Sequence, residues 1–153
     1  MQRLELKVPP LALVLLAGGY MWLITWAAPA FEFVFPARRI CAMVAIVAGI
    51  VVAGMGMFSF RKAQTTVNPM KPDSSSALVV TGIYRLTRNP MYLGFLWILF
   101  GWGIFLSNAL AFLVLPGVVL YMNRFQIEPE ERALTRLFGQ TFVTYAKQVR
   151  RWI

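Results

Sequence analysis

Four stretches of the chain contain no charged side chain, and the polar residues gather between them. The stretches are 8–28, 40–60, 91–106 and 109–122. At ~1.5 Å per helical residue, the first two are long enough to cross an apolar layer of ~30 Å. The third and fourth are shorter and are separated only by Ser107-Asn108. That spacing predicts a tight helical hairpin whose two arms barely span or stop short of the far face, with Pro116 kinking the second. The first run is too long for a signal-peptide core of ~7–15 residues, so it reads as a retained helix. The expected fold is all-α: a polytopic membrane protein forming a single membrane domain over 1–153, with four transmembrane helices.

The polar segments complete this picture. Residues 29–39 form a short loop with interfacial Phe31, Phe33 and Phe35. Residues 61–89 form a long connection, turn-rich around 68–76 and extended and apolar over 77–84. The tail 123–153 reads as amphipathic helices. Pro129-Glu130-Glu131 is a helix-start signal, and Leu134, Leu137 and Phe138 share a face before Gly139. Phe142, Tyr145, Val149 and Trp152 continue as a stripe suited to lying on the membrane surface.

Composition agrees: the chain is 59% hydrophobic and only 14% charged, against roughly 45–50% and about 25% for soluble domains. The net charge of +9 could suggest nucleic acid, but its distribution explains it otherwise. Four spans put the N-terminus, the 61–89 loop and the tail on one side. Of the 15 Lys and Arg, that side holds all but Arg38 and Arg39. This bias assigns it to the cytoplasm, so both ends are expected inside and the basic surplus faces anionic lipid headgroups. No nucleic-acid partner is implied. Cys41 is the only cysteine and there is no histidine. An internal disulfide is excluded, a zinc site is disfavoured and the commonest general base is missing. Cys41 reads as a small lipid-facing or packing residue.

Two clusters carry candidate chemistry. One runs Gly82-Ile83-Tyr84-Arg85-Leu86-Thr87-Arg88-Asn89-Pro90-Met91-Tyr92-Leu93-Gly94 at the cytoplasmic mouth of the third run. The other is Glu130-Glu131, just past the fourth. A hairpin returns the chain to the same face, so the two can meet. Singly, Arg85 and Arg88 read as positive-inside anchors, the tyrosines as belt residues and the glutamates as helix-start acids. Their order on one face argues for a combined role.

The order Arg88-Asn89-Pro90-Met91-Tyr92-Leu93-Gly94, apolar hairpin, Glu130-Glu131 resembles the isoprenylcysteine carboxyl methyltransferase family and its phospholipid methyltransferase relatives. Their pattern is Arg-His-Pro-x-Tyr-x-Gly, a hydrophobic stretch and a Glu-Glu pair. The resemblance covers the last half of the chain, from Leu78-Val79 to Tyr145. Asn89 stands where eukaryotic members carry His, as in many bacterial members, so an imidazole role does not transfer. The resemblance implies a bacterial inner-membrane enzyme that uses S-adenosyl-L-methionine, with S-adenosylhomocysteine as product. The acceptor would be lipophilic and enter from the bilayer near the third and fourth helices. It would be an isoprenylcysteine carboxylate or, alternatively, a phospholipid or other small lipid. Arg88, Asn89 and Tyr92 are then the catalytic candidates. Leu78, Val79, Gly82, Tyr84, Arg88, Asn89, Tyr92, Gly94, Glu130 and Glu131 are the cofactor-binding candidates.

The residue chemistry is compatible. A carboxylate suits the cofactor's ribose diol and ammonium, a guanidinium suits its carboxylate, and Leu78, Val79, Tyr84 and Tyr92 suit its adenine. Gly82 and Gly94 would permit close backbone approach. Two other classes compete. A four-helix exporter needs an ionisable residue within its spans, and these runs have none. A scaffold whose tail binds a partner would leave the Arg88…Glu131 order unused.

Overall fold

The computed structural model describes residues 5–63 and 77–153. The turn-rich segment around 68–76, Lys71 and Arg3 lie outside the described residues. All the regular elements described are helical.

Helix α1 spans Pro10–Ala27 and begins with proline in its first turn, where the missing N–H is not needed. It turns Val14, Ala17 and Met21 inward, a spacing that puts them on one stripe. Leu15, Leu16 and Trp26 remain exposed. Helix α2 spans Arg38–Lys62 and ends on Arg61 and Lys62, the charge favoured at a helix C-terminus. Helix α3 spans Pro90–Leu106 and stops at Ser107, which takes a left-handed conformation (φ 53°).

The buried Asn108 side chain then caps the next turn, accepting from the Leu110 N–H at 3.0 Å. Its amide donates to the Ala28 carbonyl at 2.8 Å. The Phe33 N–H donates to the Ser107 carbonyl at 2.9 Å, so the 28–35 loop is clasped to this reversal.

A 3₁₀ turn at Ala109–Leu113 leads into α4, Val114–Met122. Pro116, expected to kink the helix, falls in the first turn of α4 where its lack of N–H is harmless. Phe100 meets Phe112 edge-on at 5.7 Å, and Tyr92 meets Glu130. The two helices therefore run antiparallel.

The expected break after the fourth run is absent. A π-turn, Asn123–Ile127, carries the helix on into α5, Glu128–Phe138. Pro129 thus lies inside a continuous helical path, where it removes the N–H that the Phe125 carbonyl would accept. The Leu6 N–H takes that place at 3.0 Å. Gly139, at φ 50°, ends α5 in a backbone region that favours glycine, and α6 follows over Gln140–Gln148.

Helices α2 and α3 touch backbone to backbone. A Cβ on Gly94 would lie 2.5 Å from the Gly49 carbonyl oxygen, and one on Gly101 would lie 2.8 Å from that of Ala42. Ala42, Ala45, Gly49 and Gly56 line the facing stripe of α2. Close approach of small residues is how helices associate in lipid, where apolar burial drives little.

Three helical paths are long and apolar enough to cross a membrane: Pro10–Ala27, Arg38–Lys62 and Ala109–Phe138. Helix α3 is apolar but only 17 residues long, about 26 Å at 1.5 Å per residue. Broad exposure of Leu, Ile, Val and Trp on α1 and α2 is that of a surface solvated by lipid. The protein is an integral membrane protein.

Candidate active site

The site lies where the start of α3, the start of α5 and the end of the chain converge. Its floor is the short turn Gly82–Arg85. Gly82 takes φ 63°, and a Cβ there would come within 3.2 Å of the Ser59 Oγ. The turn buries Val79, Ile83 and Tyr84 against Val52, Phe60 and Ala63 of the α2 end. Tyr84 meets Phe60 edge-on at 5.4 Å, and its carbonyl accepts the Tyr145 hydroxyl at 2.7 Å. Burial raises both phenols above their ordinary range, Tyr145 to about 12.

The next residues grip the chain's last segment. Helix α6 ends at Gln148 and Val149 is extended, so 149–152 crosses 87–89 as a strap. The Arg88 N–H donates to the Arg150 carbonyl at 3.0 Å. Thr87 Oγ1 and Asn89 Nδ2 both donate to the Arg151 carbonyl, at 3.2 and 2.9 Å. Trp152 Nε1 donates to Asn123 Oδ1 at 3.1 Å. The stripe expected to face the membrane points instead into the protein. Phe142 and Tyr145 are buried, and Trp152 packs on the main core.

The strap delivers a second guanidinium to Glu131. Arg88 Nη2 stands 3.1 Å from one Glu131 oxygen. Arg151 approaches the same carboxylate with two nitrogens, at 2.6 and 3.2 Å. This fork-on-carboxylate geometry is the strong form of an ion pair, and it raises the Arg151 pKa. The buried Arg88 Nε has no partner among the described residues.

Glu130, one position earlier and so about 100° around the helix, faces α3 and accepts the Tyr92 hydroxyl. The uncharged part of its helix ends at Asn123, and Arg124, Glu128 and Arg132 surround this level, so Glu130 lies outside the uncharged run. Burial pushes its carboxyl up to about 8; the Tyr92 hydrogen bond pulls it down and the Glu131 charge adds to the rise.

Arg88, Asn89, Tyr92, Glu130 and Glu131 are therefore brought together. Tyr84 lies near Glu130 and Tyr92; it and Val79 are buried in the small apolar cluster, and Leu78 is half-buried. Gly94 does something other than expected: the space it leaves is filled by α2, not held open toward the site. The Asn89 side chain is likewise committed to the strap. Sequence reasoning missed Thr87, Tyr145, Arg151 and Trp152. The signal for Arg151 was slight, a basic residue in a tail already rich in them.

Two grooves open nearby, one on the cluster and one along α3 beyond it. One of about 720 Å³ runs past Arg88 and Glu131 to Phe142 and Lys147. The other, about 320 Å³, lies between α3 and α4 and is lined by Leu93, Leu96, Trp97, Phe100, Leu115, Pro116 and Val119. Among the described residues, no cluster of three His, Cys, Asp or Glu could hold a metal ion.

A membrane-embedded helical protein with an Arg–Glu–Tyr cluster at one helix mouth is thus defined. Residues 37–141 match the phospholipid methyltransferase family, and the chain belongs to that family. An uncharacterized protein of Haemophilus influenzae is 43% identical over 63 residues, 41% of this chain and all of that one. Protein-S-isoprenylcysteine O-methyltransferase of Saccharomyces cerevisiae is 33% identical over 79 residues, 52% of this chain and 33% of that one. Protein-S-isoprenylcysteine O-methyltransferase B of Arabidopsis thaliana is 27% identical over 104 residues, 68% of this chain and 53% of that one. The chain spans from about a third to about half the length of these two named methyltransferases. No solved structure matches.

Proposed function

We propose that the protein is an S-adenosyl-L-methionine-dependent membrane methyltransferase acting on a lipophilic acceptor of the isoprenylcysteine-carboxylate type. The observation that carries this reading is the convergence of Arg88, Tyr92, Glu130 and Glu131 in a chain of the phospholipid methyltransferase family. The donor set fits the cofactor. Two guanidiniums suit its amino-acid carboxylate, and the Glu131 carboxylate and the Glu130 carboxyl suit its ammonium and ribose diol. Arg88 Nε, buried without an acceptor, leaves hydrogen-bonding capacity for one more anionic group.

When bound, the cofactor supplies a methyl group on a sulfonium. The protein's own task is to hold donor and acceptor in line and to keep water out, which supplies much of the rate in such displacements. An acceptor carboxylate attacks as an anion and needs no general base, in keeping with a chain that lacks histidine. The apolar groove between α3 and α4 suits a lipid chain approaching from the bilayer.

In this reading all four apolar runs lie in the membrane, α3 and the apolar start of the Ala109–Phe138 path form a hairpin, and both ends face the cytoplasm. Arg38 and Arg39 are the basic residues left on the other side.

A second reading keeps the chemistry and changes the acceptor to a phospholipid amine. The family's description favours it. Glu130, its carboxyl raised to about 8 by burial, takes the proton an amine must lose once it is itself ionised.

The test is calorimetric titration of the purified protein in detergent with S-adenosylhomocysteine. Micromolar or tighter binding is expected, and a flat titration overturns the proposal.

A further inference from the structure

We propose that Arg151, carried on the 149–152 strap, is a ligand-binding residue. It forms with Arg88 a two-guanidinium clamp for the amino-acid carboxylate of the methyl donor. The inference rests on the methyl-donor reading and deepens it.

Three observations lead there. First, the two guanidiniums share one counter-ion. Arg88 and Arg151 both bind Glu131, and among the described residues no second carboxylate lies within ion-pair distance of either, Glu128 acting on Arg151 only from farther off. One positive charge is left over in a partly desolvated place, with the Arg88 and Arg151 side chains only 15% and 31% exposed. Such a place favours an added anion. Second, Arg88 Nε is buried and unpaired, a donor aimed at no acceptor among the described residues. Buried donors are nearly always satisfied, so this one marks where an acceptor belongs. Third, the backbone carrying Arg151 is fixed in advance. Its carbonyl takes two side-chain hydrogen bonds, from Thr87 and Asn89, and its neighbours are tied to Arg88 N–H and Asn123. A surface ion pair needs no such support, whereas a recognition group does. This also gives Asn89 a role: it positions Arg151 through its carbonyl.

The test compares two ligands that share a nucleoside. S-adenosylhomocysteine carries the amino-acid carboxylate and 5′-methylthioadenosine does not. Each is titrated into full-length wild type, Arg151→Gln and Arg151→Lys by calorimetry in detergent. The clamp requires Arg151→Gln to weaken S-adenosylhomocysteine by about tenfold or more, the size of a lost charge-assisted hydrogen bond. Its affinity for 5′-methylthioadenosine must stay within about twofold of wild type. Arg151→Lys, which keeps the charge but not the fork, must show the same selectivity with a smaller loss, and it answers the question if Arg151→Gln does not fold. Equal weakening of both ligands, or no weakening of S-adenosylhomocysteine, overturns the clamp while leaving the methyl-donor reading intact. A wild type that binds neither ligand overturns that reading and the clamp with it.

Discussion

The Tyr92 hydroxyl donates to the Glu130 carboxylate across two antiparallel helices. Tyr92 sits in the first turn of α3 and Glu130 in the first turn of α5. The bond therefore closes the mouth of the helix pair at the level where Arg88 meets Glu131.

That cluster is expected to dominate cofactor affinity. Arg88→Ala and Glu131→Ala should each weaken S-adenosylhomocysteine binding by about 10–100-fold, the scale of about 1.5–3 kcal/mol for hydrogen bonds to charged groups. Arg38→Ala, at the opposite end of the helices, should leave the calorimetric isotherm unchanged. If all three variants weaken binding equally, the site lies elsewhere.

The Glu130 carboxyl sets a pH dependence of stability. Its value in the folded protein is raised from 4.5 to about 8. As pH rises through this window, the unfolded chain sheds the proton first, so the folded state loses stability. Wild-type melting temperature should therefore fall between about pH 5 and pH 8. Glu130→Gln keeps a partner for Tyr92 and removes the titration, so its decline should be shallower. Parallel curves for the two proteins would contradict the assignment.

The α2–α3 contact predicts a steric cost. Gly94→Val should lower the melting temperature of the detergent-solubilised protein, with a cost of at least about 1–3 kcal/mol for overpacking. Gly54→Ala, where nothing lies within 4 Å of the added carbon, should be neutral by the same measurement.

The Tyr145 hydroxyl is a third stability point. Tyr145→Phe leaves the Tyr84 carbonyl without this donor, at about 1–3 kcal/mol for a buried unsatisfied group. Chemical denaturation would register it as an earlier midpoint with an unchanged slope.

Orientation can be read by labelling in a Cys41→Ser background. Val34 is 99% exposed and Leu86 is 74% exposed. A membrane-impermeant maleimide should reach Leu86→Cys only from the cytoplasmic side and Val34→Cys only from the other. The reverse pattern would invert the assignment of sides.

The apolar runs were legible because a membrane span depends on bulk hydrophobicity, which needs no partner to be recognised. Arg88, Tyr92 and Glu130-Glu131 were legible because their residue types are chemically conspicuous and the turn at Ser107-Asn108 forces them onto one face. The strap was not legible. Its hydrogen bonds come from Thr87, Asn89 and backbone carbonyls, none of which leaves a periodic trace. Gly94 was assigned to the wrong neighbour because a glycine announces close approach without naming what approaches. The continuity past Met122 was hidden because Pro129 usually opens a helix. Here a distant N–H, from Leu6, satisfies the carbonyl that the proline abandons.

The shortness of α3 has a consequence for the lipid around it. A 17-residue helix falls a few ångströms below a hydrocarbon layer of ~30 Å, while the helical path beside it is long enough to tilt. If α3 crosses the membrane as proposed, a thicker bilayer draws on the two partners unequally, and the Tyr92–Glu130 bond is one of the contacts that join them. Acyl-chain length would then act on the polar cluster, and reconstitution into bilayers of graded thickness should change S-adenosylhomocysteine affinity.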